Sequence, residues 1–370
     1  MQNSSQGPAG ARVLKSITSP IVGYFKDNLG IILGLLIMCV IITIVNPVFI
    51  TQANLLNVMR QITTNLYLAL AMTMIIILAG IDLSVGSNIA LTGVVTTVSI
   101  AIFGLPIPIA LILGLLTGVL IGAINGFIAA KTAIPPFIIT LSMMNVARGF
   151  AFIITEGAPV RVMDSTFNFI GAGFIGDIPI PVIYLLVFIF LCYFIMNKSK
   201  LGRHIYAVGG NPDAARFAGI NVQRVKFFAY TFSGFMAGFA GVVLASRMFS
   251  GQPTAGTGAE LDAIAAVVLG GTSMSGGVGR IGGTVIGALI IGVLNNGLNL
   301  MGVSSFWQDV IKGVVILAAV YADVVKRKRA AAGRTFKQDV KNIIKRVVAI
   351  IERVVTFWRK KRKAISKAKE

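Results

Sequence analysis

Long apolar runs broken by short polar stretches dominate this chain. Runs at about 29–50, 60–80, 85–104, 106–130, 134–155, 179–196, 226–246, 260–272, 281–301 and 306–324 each carry few or no charges. A hydrocarbon layer of about 30 Å takes roughly 20 apolar residues of helix, at about 1.5 Å of rise each. The pattern therefore predicts an all-α polytopic membrane protein with about ten transmembrane helices. Composition agrees. The chain is 56% hydrophobic and 12% charged, whereas soluble domains carry about 25% charged residues. Its 370 residues thus imply one helical bundle rather than two or three soluble domains.

Basic residues orient the bundle, because cytoplasmic loops concentrate Lys and Arg. Lys15 and Lys26 precede the first run, and Lys131 lies between the fourth and fifth. Lys198, Lys200, Arg203, Arg216, Arg224 and Lys226 crowd the sixth-to-seventh connection, and KRKR follows the last run at 326–329. Ten crossings with cytoplasmic N- and C-termini put all these clusters on one side, with Arg60, Arg161 and Arg247 as isolated exceptions. The Gly- and Pro-containing connection 156–179 then faces outward, where an external partner has access. Three segments follow: a polar cytoplasmic stretch 1–28, a transmembrane domain 29–325, and a basic tail 326–370. The first apolar run continues to spanning length, so no cleavable signal is expected.

The formal charge of +20 suggests nucleic acid until its distribution is seen. From Lys326 to Glu370 there are 17 Lys or Arg against three acids, so this stretch carries +14 of the total. Within it Ile344, Val347, Val348, Ile351, Val354, Val355 and Trp358 recur at helical spacing with basic residues opposite. A basic amphipathic helix tethered beside a membrane reads as a partner for anionic lipid and not for nucleic acid.

Two runs look interrupted. LAGIDLSVGS (78–87) and LGGTSMSGGV (269–278) align without gaps, pairing Gly80 with Gly271, Asp82 with Ser273, Ser84 with Ser275 and Gly86 with Gly277. Paired Gly-interrupted segments in two halves of a transporter point to its pathway, because irregular backbone at membrane depth must line a cavity or be buried in protein. Asp82, Ser84, Ser273 and Ser275 are the pathway candidates, and the two copies run in the same direction. Two of these features have structural readings as well: turns that resemble each other because turns use Gly and Ser, and an Asp82 that caps the following half-helix.

Catalytic and cofactor readings find no support. GGVGRIGGT (276–284) has Gly283 where a phosphate loop needs Lys, and no strand precedes it; its glycines suit close helix packing. Cys39 and Cys192 fall within apolar runs, as small buried hydrophobes do. His204 is the only histidine, which leaves no His-based triad and no multi-histidine metal site. Glu260 and Asp262 are two apart and point to different helix faces, so they form no acid–base pair. The expectation is a non-enzymatic chain with no bound cofactor or metal.

The polar pause LGRHIYAVGGNPDAARFAGINV (201–222) is the most informative segment. After Gly210, Asn211 suits an N-cap, Pro212 the first helical position, and Asp213 the positive helix end. Ala214, Ala215, Arg216, Phe217 and Ala218 extend the turn until Gly219 offers a left-handed stop. Such a helix of about two turns is too short to stand alone. It must dock, either on a cytosolic partner or back on its own bundle.

The segment GGNPDAARFAGINV, with GIDLSVGS (80–87), QPTAGTGAELDAIAAVVLGGTSMSGGVGRIGGT (252–284) and NNGLNLMGVSSFWQDVIKGVVILAAV (295–320), resembles the bacterial ABC-type monosaccharide importer permeases of the ribose, xylose, arabinose and galactose group. The likeness covers roughly 30–325, with ribose the favoured sugar; the tail beyond about 330 is outside the common pattern. The resemblance implies a bacterial inner-membrane subunit, a homodimer or pseudo-dimer of permeases, an ABC ATP-binding subunit docked on Gly210 to Asn221, and an extracytoplasmic sugar-binding protein. The rival is an ion-coupled secondary sugar transporter acting alone, for which only Asp82 offers an intramembrane acid.

Overall fold

The computed structural model describes residues 29–331. The N-terminal segment 1–28 and the amphipathic helix expected in the tail lie outside the described residues. The chain divides after Ala319 into two compact units, and the first holds all of helices α1 to α12.

Each apolar run is helical. Helix α1 spans Leu29–Val45. It is followed by α2 (Gln52–Ile77), α3 (Val85–Ala101), α4 (Ile107–Lys131), α5 (Pro136–Thr155), α6 (Ser165–Ala172), α7 (Ile180–Lys198), α8 (Lys200–Gly210), α9 (Pro212–Phe217), α10 (Val222–Arg247), α11 (Ala259–Leu269), α12 (Ile281–Leu300) and α13 (Ser305–Ala331). Six of the described helices are long and apolar enough to cross a membrane: α2, α4, α5, α7, α10 and α12. Helices α1 and α3 are shorter apolar helices.

The eighth run is as short in the fold as in the sequence. Helix α11 has 11 residues, about 16 Å of rise and roughly half a bilayer core. The turns that precede it, at 253–258, are pinned by Arg148 Nη1, which donates to the carbonyls of Pro253 (2.6 Å) and Ala255 (2.7 Å). Exposed backbone in an apolar bundle is tolerated where protein groups satisfy it, and the guanidinium does so here.

Two kinds of helix surface build the bundle. Every residue from Leu66 to Leu78 of α2 and its exit is buried, so α2 is the innermost helix. Helices α4, α5 and α7 instead leave large apolar side chains uncovered, such as Leu120, Ile153 and Phe190, as lipid-facing surfaces do. Where helices meet, small residues let backbones touch. Gly118, Gly122 and Gly126 form a stripe on α4 facing α10, and Gly114 of the same helix lies against Thr96 of α3. A Cβ on Gly118 would stand 2.7 Å from the Gly234 carbonyl, and one on Gly122 2.4 Å from that of Tyr230. Lipid tails are as apolar as Leu, so this close van der Waals contact, not hydrophobic transfer, holds the pair. Gly283 and Gly287 of α12 meet Gly270 and Ala266 in the same way, in keeping with their spacing in the sequence.

The connection 156–179 is folded rather than loose. Strand β1 (Val160–Arg161) pairs antiparallel with β4 (Ser250–Gly251), and β2 (Phe174–Ile175) with β3 (Ile178–Pro179). Asp164 caps α6 by accepting from the amides of Thr166 and Phe167. Ser246 of α10 donates to the Phe167 carbonyl and accepts from Gly171 N, both at 2.7 Å.

Candidate functional site

The site is built around α9, and its local chemistry follows the sequence closely. Asn211 Oδ1 accepts from Asp213 N and Ala214 N, both at 3.0 Å, and Pro212 opens the helix. At the far end Gly219 adopts φ +82°, Gly219 N donates to the Arg216 carbonyl, and Ile220 N donates to that of Ala215, both at 3.0 Å. This is a Schellman stop, in which a left-handed residue satisfies the last carbonyls. Asn221 then caps α10 by accepting from Arg224 N at 2.9 Å.

Six residues with a cap at each end make a stiff unit that holds little of itself inside the bundle. Ala215 is its one buried side chain. Phe217 is 91% exposed, the highest value for any large apolar side chain among the described residues. Arg216 and Asp213 form an exposed pair at 3.6 Å, which contributes little to stability. The helix meets its own bundle through Ala215 and leaves Phe217 uncovered.

Helix α8 feeds directly into α9, with Asn211 ending one and capping the other. The polar composition of this stretch suggests a loop; its helical signal is the Ser199 cap, whose Oγ accepts from Gly202 N at 3.1 Å, and the inward spacing of Gly202, Ile205, Val208 and Gly209. The end of α8 is where three backbones meet without side chains between them. A Cβ on Gly209 would lie 1.8 Å from the Ile77 carbonyl at the end of α2 and 2.9 Å from Gly277 N. Gly277 N itself donates to that Ile77 carbonyl at 2.8 Å. Gly276 and Gly277 have φ of +84° and +73°, a conformation open to glycine at low cost. Tyr206 of α8 adds a side-chain grip, its hydroxyl donating to the Gly279 carbonyl at 2.8 Å. Burial raises the Tyr206 phenol above its ordinary value, against a smaller lowering from Arg280, so it stays a neutral donor.

The two interrupted segments therefore touch each other, and both touch the helix that carries α9. Contact runs through Ile77 and Gly276 to Gly279 rather than through the aligned polar residues. Asp82 and Ser84 sit together deeper in the protein, each 1% exposed. Ser84 donates to Asp82 Oδ1 from both Oγ (2.6 Å) and N (3.0 Å), and Ser233 Oγ donates to Oδ2 at 2.8 Å. Asn125 Nδ2 donates to Ser84 Oγ at 2.9 Å, and Thr140 Oγ1 to the Ile81 carbonyl at 3.1 Å. The first break is thus tied to α3, α4, α5 and α10. In the second, Ser273 is buried and Ser275 exposed, and the one side-chain bond between them is Ser275 N to Ser273 Oγ at 3.3 Å.

Sequence reasoning passes over Asn125, Ser233, Tyr206 and Gly209. The first two carry a usable signal, as lone polar side chains inside spanning-length apolar runs. The other two do not, because a Tyr and a Gly on a polar connection are ordinary. Asp262 is paired with Lys312 at 3.8 Å and accepts from Asn65 and Asn295.

The chain is 44% identical to the ribose import permease protein of Haemophilus influenzae over 84% of this chain and 98% of that protein. It is 47% identical to the ribose import permease protein of Bacillus subtilis over 82% of this chain and 94% of that one. Identity to the xylose transport system permease protein of Escherichia coli is 34%, over 76% of this chain and 87% of that protein. No solved structure matches the chain. The family described as the permease component of branched-chain amino acid transport systems matches residues 54–320, and with relatives so alike over most of its length the chain belongs to that family of membrane permeases.

Proposed function

We propose that this chain is the membrane-spanning permease of an ATP-driven importer that carries a monosaccharide, ribose, across the bacterial cytoplasmic membrane. A separate ABC ATP-binding subunit docks on α9, an extracytoplasmic sugar-binding protein delivers the sugar at the opposite end, and two permease copies flank the route. Ten crossings with both termini inside fit the distribution of basic residues. Hydrolysis belongs to the partner; this chain holds no nucleotide or other cofactor and supplies the pathway, with Asp82, Ser84, Ser273 and Ser275 at its two breaks. The basic tail adds contact with anionic lipid.

One observation carries the proposal: the helix that presents Phe217 to solvent is continuous, through Gly209 and Tyr206, with both breaks. A partner that moves α9 moves α8 with it, and α8 has no side-chain cushion at Ile77 and Gly277 to absorb the displacement. Carriers coupled to an ion gain no comparable support, since both oxygens of Asp82 already accept from hydroxyl and amide donors.

Phe217→Asp tests the reading. Burying an unpaired charge in the partner's groove should weaken docking by several kcal/mol, on the order of 3–5. Expected are normal membrane levels, an ATPase that no longer co-purifies, and abolished sugar uptake. An ATPase that stays bound with unchanged sugar-stimulated hydrolysis would place the joint elsewhere. The tail is tested separately: liposome binding by a peptide of residues 335–370 should fall steeply with salt.

A further inference from the structure

Opposite α9, at the far end of the 26-residue α10, a polar cavity of about 480 Å³ opens between α2, α10 and α12. We infer that it is a low-affinity monosaccharide site, the first point at which the permease itself touches the sugar; the inference rests on the sugar-importer reading. The cavity falls in the range of about 300–1,000 Å³ typical of small-ligand sites.

Its walls are made of carboxamides. Asn54, Asn57 and Gln61 follow one another at three- and four-residue spacing on the first turns of α2, which begins eight residues before the apolar run. Asn296 and Asn299 face them at three-residue spacing from α12. The floor is built and buried: Asn54 and Asn296, 7% and 4% exposed, exchange two amide hydrogen bonds at 3.0 and 2.9 Å. Above the floor, the side chains of Asn57 and Gln61 have no hydrogen-bond partner among the described residues, and Arg60 Nε is buried without one.

This chemistry selects a neutral polyhydroxyl ligand. A carboxamide offers two donors and two acceptor lone pairs, and a sugar hydroxyl offers one donor and accepts as well, so the two match in either direction. An anion would use only the donors and would face the amide oxygens unfavourably. The Arg60 guanidinium stacks on Phe174 at 4.1 Å and Arg247 Nη1 donates to the Arg60 carbonyl at 2.8 Å, which leaves Arg60 Nε as a further donor for a hydroxyl oxygen. No carboxylate lines the cavity among the described residues, so a metal cation has no ligand of the hard, charged kind it needs.

The test uses the full chain in nanodiscs with D-ribose as probe, and the complete complex in proteoliposomes for uptake. Saturation transfer from the permease alone to ribose should be present in the wild type, absent in Asn57→Leu/Gln61→Leu, and restored by Asn57→Gln with Gln61 intact. Uptake by the double variant should fall about tenfold, the effect of losing one to two net hydrogen bonds, with capture of the sugar-binding protein unchanged. Undiminished ribose contact in the double variant, displacement of ribose by inorganic phosphate, or an uptake loss fully explained by lost capture of the binding protein would each overturn the site. A wild-type complex that moves no monosaccharide would instead remove the importer reading on which the site depends.

Discussion

The two interrupted segments read almost as copies in sequence and behave as opposites in the fold. Around Asp82 the side chains of Ser84, Asn125, Thr140 and Ser233 are buried and tie the break to helices α3, α4, α5 and α10. Around Ser275 the backbone turns on glycines at φ of +85°, +84° and +73°, with Ser275 and Val278 exposed. The first break is a buried abutment and the second an exposed lip, joined to the end of α2 by one backbone hydrogen bond and to α8 by Tyr206. Residues that match in an alignment acquire their roles from what surrounds them: an acid and two hydroxyls in a low-dielectric interior form a lock, because unmade hydrogen bonds there are costly.

The contrast can be broken most severely where the segments meet. Gly209→Ala puts a methyl 1.8 Å from the Ile77 carbonyl, and neither backbone can rotate away. It should cost about 3 kcal/mol, the upper end for overpacking, and be read as a lower thermal midpoint of the purified protein. Gly271→Ala is its control, since no atom lies within 4 Å of the added carbon and only the φ of +85° is unfavourable; about 1–2 kcal/mol is expected there.

Next comes the lock itself. Asp82→Ala leaves three buried donors without their acceptor and should destabilise by about 2–3 kcal/mol, whereas Ser273→Ala, which loses one long bond, should cost under about 1 kcal/mol. Equal losses in a melting experiment would erase the distinction between abutment and lip. Cysteines sharpen it further. Ser275→Cys should react with a small water-soluble thiol reagent in the resting protein, and Ser84→Cys only during ATP turnover. Protection of Ser84→Cys in every nucleotide state would remove it from the route.

A smaller effect is expected from Tyr206→Phe, which deletes the bond to Gly279 at a cost of about 1 kcal/mol. Because α9 is untouched, the ATPase should still co-purify while sugar uptake per ATP hydrolysed falls. The smallest change should be a gain: Ala79 holds φ +57°, and Ala79→Gly relieves up to about 1 kcal/mol of that strain, less the added entropy of the unfolded chain. Thermal melting measures it.

Much of this is legible in the residues. The ten apolar runs are helices because an apolar stretch in lipid has no other way to satisfy its backbone, and their boundaries hold to within a few residues except where Asn54 and Asn57 prolong α2 with polar side chains and where α13 runs on to Ala331. The short helix at 212–217 is readable to the residue, since caps and glycine stops act over three or four positions. The contact between Arg148 and the turns before α11 is not, because it joins positions more than a hundred residues apart.

Sequence alone thus determined the class of the molecule, its helices, the capped lever at 211–219 and the presence of two paired breaks, since each depends on period, length or chemistry within a few residues. Tertiary structure alone decided that both breaks converge on α8, that Asp82 is locked while Ser275 is open, and that amides from α2 and α12 share one cavity. Those relations join residues up to 242 positions apart, and no local preference encodes which distant backbone will come to rest against a glycine.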